Sequence, residues 1–123
     1  MISGHVGSNR EILIPLDAVG ANRSLVSLRA IVDTGFNGFL TLPTAALNEL
    51  EASPAGTRRA ELGDGNLVEL DVYVVRVKWH DADREVLVLE ADTTPLVGMS
   101  LLWGSRVGFD ARDGGTITID AIP

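Results

Sequence analysis

Three short stretches of this 123-residue chain carry residue types and spacings that could support chemistry. Asp33-Thr34-Gly35 follows the apolar run Ala30-Ile31-Val32, so a carboxylic acid stands where a strand has lost its polar face. Withdrawing an acid from water is costly, and a position that does so is a candidate for proton transfer. Gly63-Asp64-Gly65-Asn66 separates two strand-like arms, as a hairpin tip does. Leu96-Val97-Gly98 repeats the apolar-apolar-glycine pattern ahead of Met99-Ser100-Leu101-Leu102-Trp103. Taken alone, Asp33-Thr34-Gly35 reads more readily as a plain turn, with Asp33 bonding its own backbone and Gly35 at positive φ.

Other chemistries have little to draw on. The chain has no cysteine, which excludes thiol catalysis, zinc ribbons and disulfide scaffolds and fits a reducing compartment. His5 and His80 are far apart in sequence, so no metal site is expected; Asp81 and Asp83 lack the rest of a calcium loop. Lys and Arg number 10 against 17 Asp and Glu, a net charge of −7 that repels phosphate backbones, so nucleic acid is not an expected partner. Apolar runs such as Val72 to Val75 and Val86 to Leu89 are strand-length, well short of the roughly 20 residues that span a bilayer. The start, Met1 to His5, has neither the basic region nor the apolar stretch of a signal peptide. The expectation is a cytoplasmic protein with no membrane partner. With 46% apolar and 22% charged residues, 1–123 reads as a single globular domain, too small to enclose a large cleft without a second chain.

The elements that would position these stretches are mostly strands. Ile12, Ile14 and Leu16 alternate with other residues, as do Val26, Leu28, Ala30 and Val32, with a turn at Val19 to Asn22 between them. Phe39 to Leu42 is a further short strand, and Pro43 suits the first position of a two-turn helix that ends at Ser53-Pro54-Ala55-Gly56. A long hairpin has arms at Arg58 to Leu62 and Leu67 to Trp79; near its tip Val68, Leu70, Val72 and Val74 share one face and Glu69 and Asp71 the other. Lower down, Tyr73, Val75, Val77 and Trp79 make the second face apolar too, so the base is expected to be buried. A turn at His80 to Asp83 leads to a strand over Glu85 to Glu90, Met99 to Trp103 is a short helix closed by Gly104, and Arg106 to Asp110 and Thr116 to Ile119 form a final hairpin. That makes eight or nine strands and two short helices. Trp79 and Trp103 are assigned to the core or to dimer packing, and Arg58-Arg59 is too short a basic run to carry meaning.

In this order, Ala30 to Leu40 with its Asp33-Thr34-Gly35, the tip at Gly63 to Asn66 and Leu96-Val97-Gly98 before a short helix resemble the retropepsin-like aspartic proteases, most of all the small single-domain bacterial forms. The resemblance spans roughly Glu11 to Ile119. It implies a mostly β fold, a closed acid-protease barrel with one or two short helices that works as a homodimer. It implies an aspartic endopeptidase acting on a peptide or protein substrate without a cofactor or metal. Asp33 is then the catalytic acid/base, Thr34 bonds across the dimer axis, and Gly35 leaves room for the substrate backbone. Gly63, Asp64, Gly65 and Asn66 form a flap over the substrate, and Leu96, Val97 and Gly98 support the Asp33 loop.

The physical logic is that one carboxylate cannot both take a proton from water and give one to the peptide, whereas two that share a proton can. A chain with one such motif then needs a symmetric partner. Phe36, Asp64 and Met99 depart from the usual pattern of that family and keep a second reading open, a catalytically weak peptide-binding or interaction module with the same fold. Thr116 to Ile119 alternates cleanly and Ile122 extends its apolar side; such a strand is expected to pair with Met1 to Val6 of a partner.

Overall fold

The computed structural model describes residues 1–61 and 64–123. Gly63 of the expected tip, and Leu62 beside it, lie outside the described residues. Ten strands and two short helices are formed by the rest: β1 (Ile2–Val6), β2 (Ile12–Val19), β3 (Leu25–Val32), β4 (Leu40–Leu42), α1 (Thr44–Glu49), β5 (Ser53–Glu61), β6 (Leu67–Trp79), β7 (Ala82–Glu90), β8 (Leu96–Val97), α2 (Met99–Leu102), β9 (Ser105–Phe109) and β10 (Thr116–Ala121). The strands follow one another in the order β5-β6-β7-β4-β8-β3-β2-β1-β10-β9, and β2 also pairs with β6 through Ala18↔Val77 and Val19↔Arg76.

Period-two alternation becomes burial as the sequence suggests. Ile14, Leu16 and Ala18 of β2 and Val26, Ala30 and Val32 of β3 point into one core, which also takes Leu40 and Leu42 of β4 and Leu47 and Leu50 at α1. In β6 the two faces change roles along the strand. Val75, Val77 and Trp79 are buried at the base, while toward the tip Val68 and Leu70 are half-buried, Val72 is buried, and Glu69 and Asp71 face solvent. Trp79 therefore belongs to the core, and Trp103, 76% exposed, does not.

Local differences from the sequence reading have identifiable causes. His80 and Asp81 alone make the turn between β6 and β7, both at positive φ (50° and 61°), which is the geometry that matches strand twist in a two-residue hairpin. Ala82 and Asp83 thus pair in the ladder, and Asp83 reaches Lys78 at 2.7 Å. Pro43 caps α1 from outside, with extended backbone, and the helix begins at Thr44. Ser53 to Gly56 starts β5, because an irregularity between Pro54 and Gly56 lets the strand turn onto β6 where a proline lacks its donor. His5 sits exposed in β1.

The largest difference concerns the ends. β10 lies between β1 and β9 of its own chain, paired through Ile2↔Ile119 and Ile117↔Phe109, so neither edge is left for a partner's strand. The Val6 amide bonds the Gly115 carbonyl at 2.7 Å and Gly114 returns a bond to Val6. An intrachain strand is already tethered, so closing this pairing costs less entropy than recruiting a second molecule. The edge of β10 expected to take Met1 to Val6 of a partner is taken up here by the chain's own β1.

Candidate functional site

Asp33 follows directly on β3, whose neighbour β8 runs parallel to it and antiparallel to β4. The loop is fixed from its first residue. The Ile31 amide donates to the Pro95 carbonyl at 2.8 Å and the Asp33 amide to Val97 at 2.9 Å. Within the loop, Gly35 donates its amide to Asp33 Oδ1 at 2.9 Å, and Phe36 donates to the Asp33 carbonyl at 3.2 Å. Asp33 is half-buried and Thr34 and Gly35 are exposed, so the acid stands at the rim of the core where a reactant can reach it. Gly35 does not adopt the positive φ that a plain turn would call for. A side chain there would begin 3.2 Å from Asp33 Oδ1, so glycine keeps the space beside the carboxylate clear.

Leu96, Val97 and Gly98 are brought to this loop. Val97 is fully buried and Leu96 half-buried. A Cβ on Gly98 would lie 2.2 Å from the Gly38 carbonyl oxygen and 2.6 Å from that of Phe36, so only glycine lets the chain pass here. The first amides of α2 then have ready acceptors. Met99 donates to Phe36 at 2.8 Å and Ser100 to Gly38 at 3.1 Å, while the Ser100 hydroxyl bonds the Asn37 carbonyl at 2.5 Å. These bonds satisfy helix-end donors that would otherwise be orphaned. Met99 keeps its place in the support through its backbone. The Phe36 ring lies against Gly38 and Gly98, packed on the loop it belongs to.

One supporting residue escaped the sequence reading. Thr41, 6% exposed between Leu40 and Leu42, accepts the Leu96 amide on Oγ1 at 2.9 Å and so joins β4 to β8 by a side chain. A polar residue flanked by two core leucines in a short strand is the only trace it leaves in the sequence.

The tip of the β5–β6 hairpin is exposed at Asp64, Gly65 and Asn66. Asn66 donates its amide to Asp64 Oδ1 at 3.0 Å and its side-chain amide to Oδ2 at 2.8 Å, and Gly65 has φ +84°. Both oxygens of Asp64 are thereby taken up inside the turn. Among the described residues no hydrogen bond joins the tip to Asp33, Thr34 or Gly35. Where β6 meets the core, the Tyr73 phenol is pushed above its ordinary value by loss of hydration, and further by the Glu90 and Asp71 carboxylates. His80 Nε2 lies 2.7 Å from Ser105 Oγ, fastening the β6–β7 turn to β9. Among the described residues no helix is long and apolar enough to cross a membrane.

No family model and no curated protein matches this sequence. Solved structures do match it. A retropepsin-like aspartic protease from Rickettsia conorii aligns over 97% of this chain and 90% of its own, with 19% identity and a TM-score of 0.58. The EIAV protease, in complex with the inhibitor HBY-793, aligns over 77% of this chain and 88% of its own, with 21% identity and a TM-score of 0.56. The chain has a mostly β, retropepsin-like fold.

Proposed function

We propose that this chain is an aspartic endopeptidase that works as a homodimer, with one Asp33 from each copy sharing a proton and activating the water that attacks a peptide bond. The observation that carries this reading is the placement of Asp33 in a retropepsin-like fold, half-buried and held by Val97 from below and by Gly35 from within its own turn. Two such carboxylates facing across a two-fold axis divide the roles of base and acid without a covalent intermediate or a cofactor. Thr34, exposed beside Asp33, is available to bond across that axis, and Gly35 leaves the carboxylate open to the substrate backbone. The β5–β6 hairpin serves as the flap, with Asp64, Gly65 and Asn66 near its tip and Val68 and Leu70 on its apolar face. Pairing of β2 with β6 supports the closed barrel that such a hairpin would project from. The cytoplasm is the proposed location, and a chain without cysteine fits a reducing compartment.

A second reading, a peptide-binding module without turnover, draws on the flap tip. Its bonds close on themselves, and Asp64 would bring a negative charge toward the two Asp33 carboxylates. The two readings part at Asp33→Asn. If the chain is a protease, this variant loses cleavage of a denatured protein mixture by about 1,000-fold or more while its fold and its peptide affinity persist. A variant that cleaves as fast as the parent sinks the assignment. A parent that binds peptide and cleaves at no pH from acid to neutral establishes the module.

A further inference from the structure

The sheet face turned away from the core is built row by row. His5 of β1 stands opposite Leu13 of β2, Leu13 opposite Ile31 of β3, and Ile31 opposite Leu96 of β8. Residues directly opposite one another share a face, so these side chains make one stripe across the strands. The alternate residues Ile14, Ala30 and Val32 fill the core, which leaves the stripe on the other side. Leu13, Ile31 and Leu96 are half-buried and His5 is exposed. Two residues beyond Ile31 along the chain is Asp33, and two residues before it is Arg29, exposed and opposite Pro15. β1 stays with β2 only through His5 and Val6 and leaves before Pro15, which has no amide to hold a neighbour. At this parting lies a notch of about 580 Å³, bordered by His5, Leu13, Pro15, Ser27 and Arg29. Arg76, Lys78 and Arg112 each pair with a carboxylate, whereas among the described residues Arg29 forms no ion pair. Asp17, diagonal to it on the same face, accepts the hydroxyl of Ser27 at 2.8 Å, and Glu11, four residues from Pro15, belongs to the Asp33 end of β2.

We propose that this face carries a bound peptide along β3, away from Asp33, and that Arg29, with the His5 imidazole across the notch, receives an acidic side chain of that peptide. The inference deepens the protease reading and rests on it for the position of the bond that is cut. Arg29 precedes Asp33 by four residues, about 13 Å of extended chain. A peptide laid along the same strand uses the same length per residue, so the acid it offers stands about four residues from the scissile bond. Leu13, Ile31 and Leu96 are the apolar surface it crosses on the way. Charge makes the choice selective. With 17 acidic against 10 basic residues, the chain draws a basic peptide to acids spread over its surface, whereas an acidic side chain is repelled by most of that surface and finds a guanidinium without a partner at this notch. A guanidinium holds a carboxylate by two parallel N–H bonds, which fixes position as well as sign.

Binding and cleavage are measured separately. Immobilised Asp33→Asn chain is offered a library of random decapeptides, and the retained peptides are sequenced. Asp and Glu should be enriched about threefold, the size expected of one exposed charge pair. Arg29→Glu in the same background should exchange this for an excess of Lys and Arg, while Arg23→Glu, the same change of charge on the β2–β3 turn, should leave the enrichment as it is. In parallel the parent chain cuts a denatured protein mixture. The enriched acid should stand about three to five residues from the cut, on either side of it, since each copy in a two-fold pair brings its own Arg29. Retained peptides with no excess of acid, no retained peptides at all, or an excess that survives Arg29→Glu overturns the proposal. Acidic peptides retained through Arg29 with no cleavage uphold the acid-binding notch and remove the protease reading, while cleavage at sites with no acidic preference does the reverse.

Discussion

Asp33 and Asp64 make the same local bond and end in different circumstances. Each aspartate accepts, on Oδ1, the amide of the residue two positions later, Gly35 at 2.9 Å and Asn66 at 3.0 Å. Each has a glycine within two residues after it, in a turn beside an apolar strand. Around Asp33, however, every flank of the loop is bonded to another element, by Val97 below it and by Met99 and Ser100 beyond it. Around Asp64 the side-chain bonds return to the turn itself, and the residues of β5 at 53–59 are exposed. The comparison teaches that an Asp turn becomes a rigid site through what packs against it. The same turn left at a hairpin tip has the exposed, sparsely packed surroundings of an element that can move.

Gly98→Ala is the strongest way to break this contrast. The new methyl would meet the Gly38 and Phe36 carbonyl oxygens at 2.2 and 2.6 Å, and urea unfolding should show a loss of about 3 kcal/mol, with cleavage falling further than stability alone predicts. A silent Gly98→Ala would mean the Asp33 loop is not sterically fixed. Thr41→Val keeps the shape and removes the acceptor for the part-buried Leu96 amide. The same measurement should register about 2 kcal/mol, and an unchanged midpoint would show that β8 does not depend on that bond.

At the tip the cost should be smaller. A Cβ on Gly65 meets nothing within 4 Å, so Gly65→Ala pays only for its φ of +84°, about 1 kcal/mol. A loss as large as that of Gly98→Ala would erase the distinction between base and flap. The smallest effect is read through Tyr73, on the stretch of β6 where the hairpin leaves the core. Its pKa is raised in the fold, so the folded chain holds this proton more tightly than the unfolded one. The stabilisation is complete below the ordinary value of 10.0 and is lost as pH rises above it through the folded value. Tyr73 is the chain's one tyrosine, so ultraviolet absorbance follows its titration directly, and Tyr73→Phe should flatten the alkaline fall in stability. An unshifted titration would detach it from Glu90 and Asp71.

Much of the architecture was legible because strands write a period of two into the chain. Val75, Val77 and Trp79 on one face of β6, and Val68, Leu70 and Val72 on the other, announced both the buried base and the projecting hairpin. The Asp33 and Leu96-Val97-Gly98 stretches were visible as patterns. Their contact was not, since no local rule says that Gly98 must clear the carbonyls of Phe36 and Gly38. Thr41 was silent because its partner, the Leu96 amide, is 55 residues away. The terminal strands misled for a related reason. Alternation in Thr116 to Ile119 shows that a strand exists, whereas the choice between its own β1 and a partner's is a matter of three-dimensional closeness.

By itself, then, the sequence determined which residues could face a core, where the chain must turn, that no thiol takes part, and that a single Asp-Thr-Gly is present. Those properties are local, fixed by side-chain type and by alternation along a strand. Only the tertiary structure decided that one Asp turn is clamped and the other left open, that β10 finds its partners at home, and that two uncharged stretches nearly sixty residues apart along the chain (between Asp33 and Glu49, and between Asp92 and Arg106) meet beside Asp33. Each of these depends on contacts between distant segments, which are specified by how surfaces pack and by no single stretch of the chain.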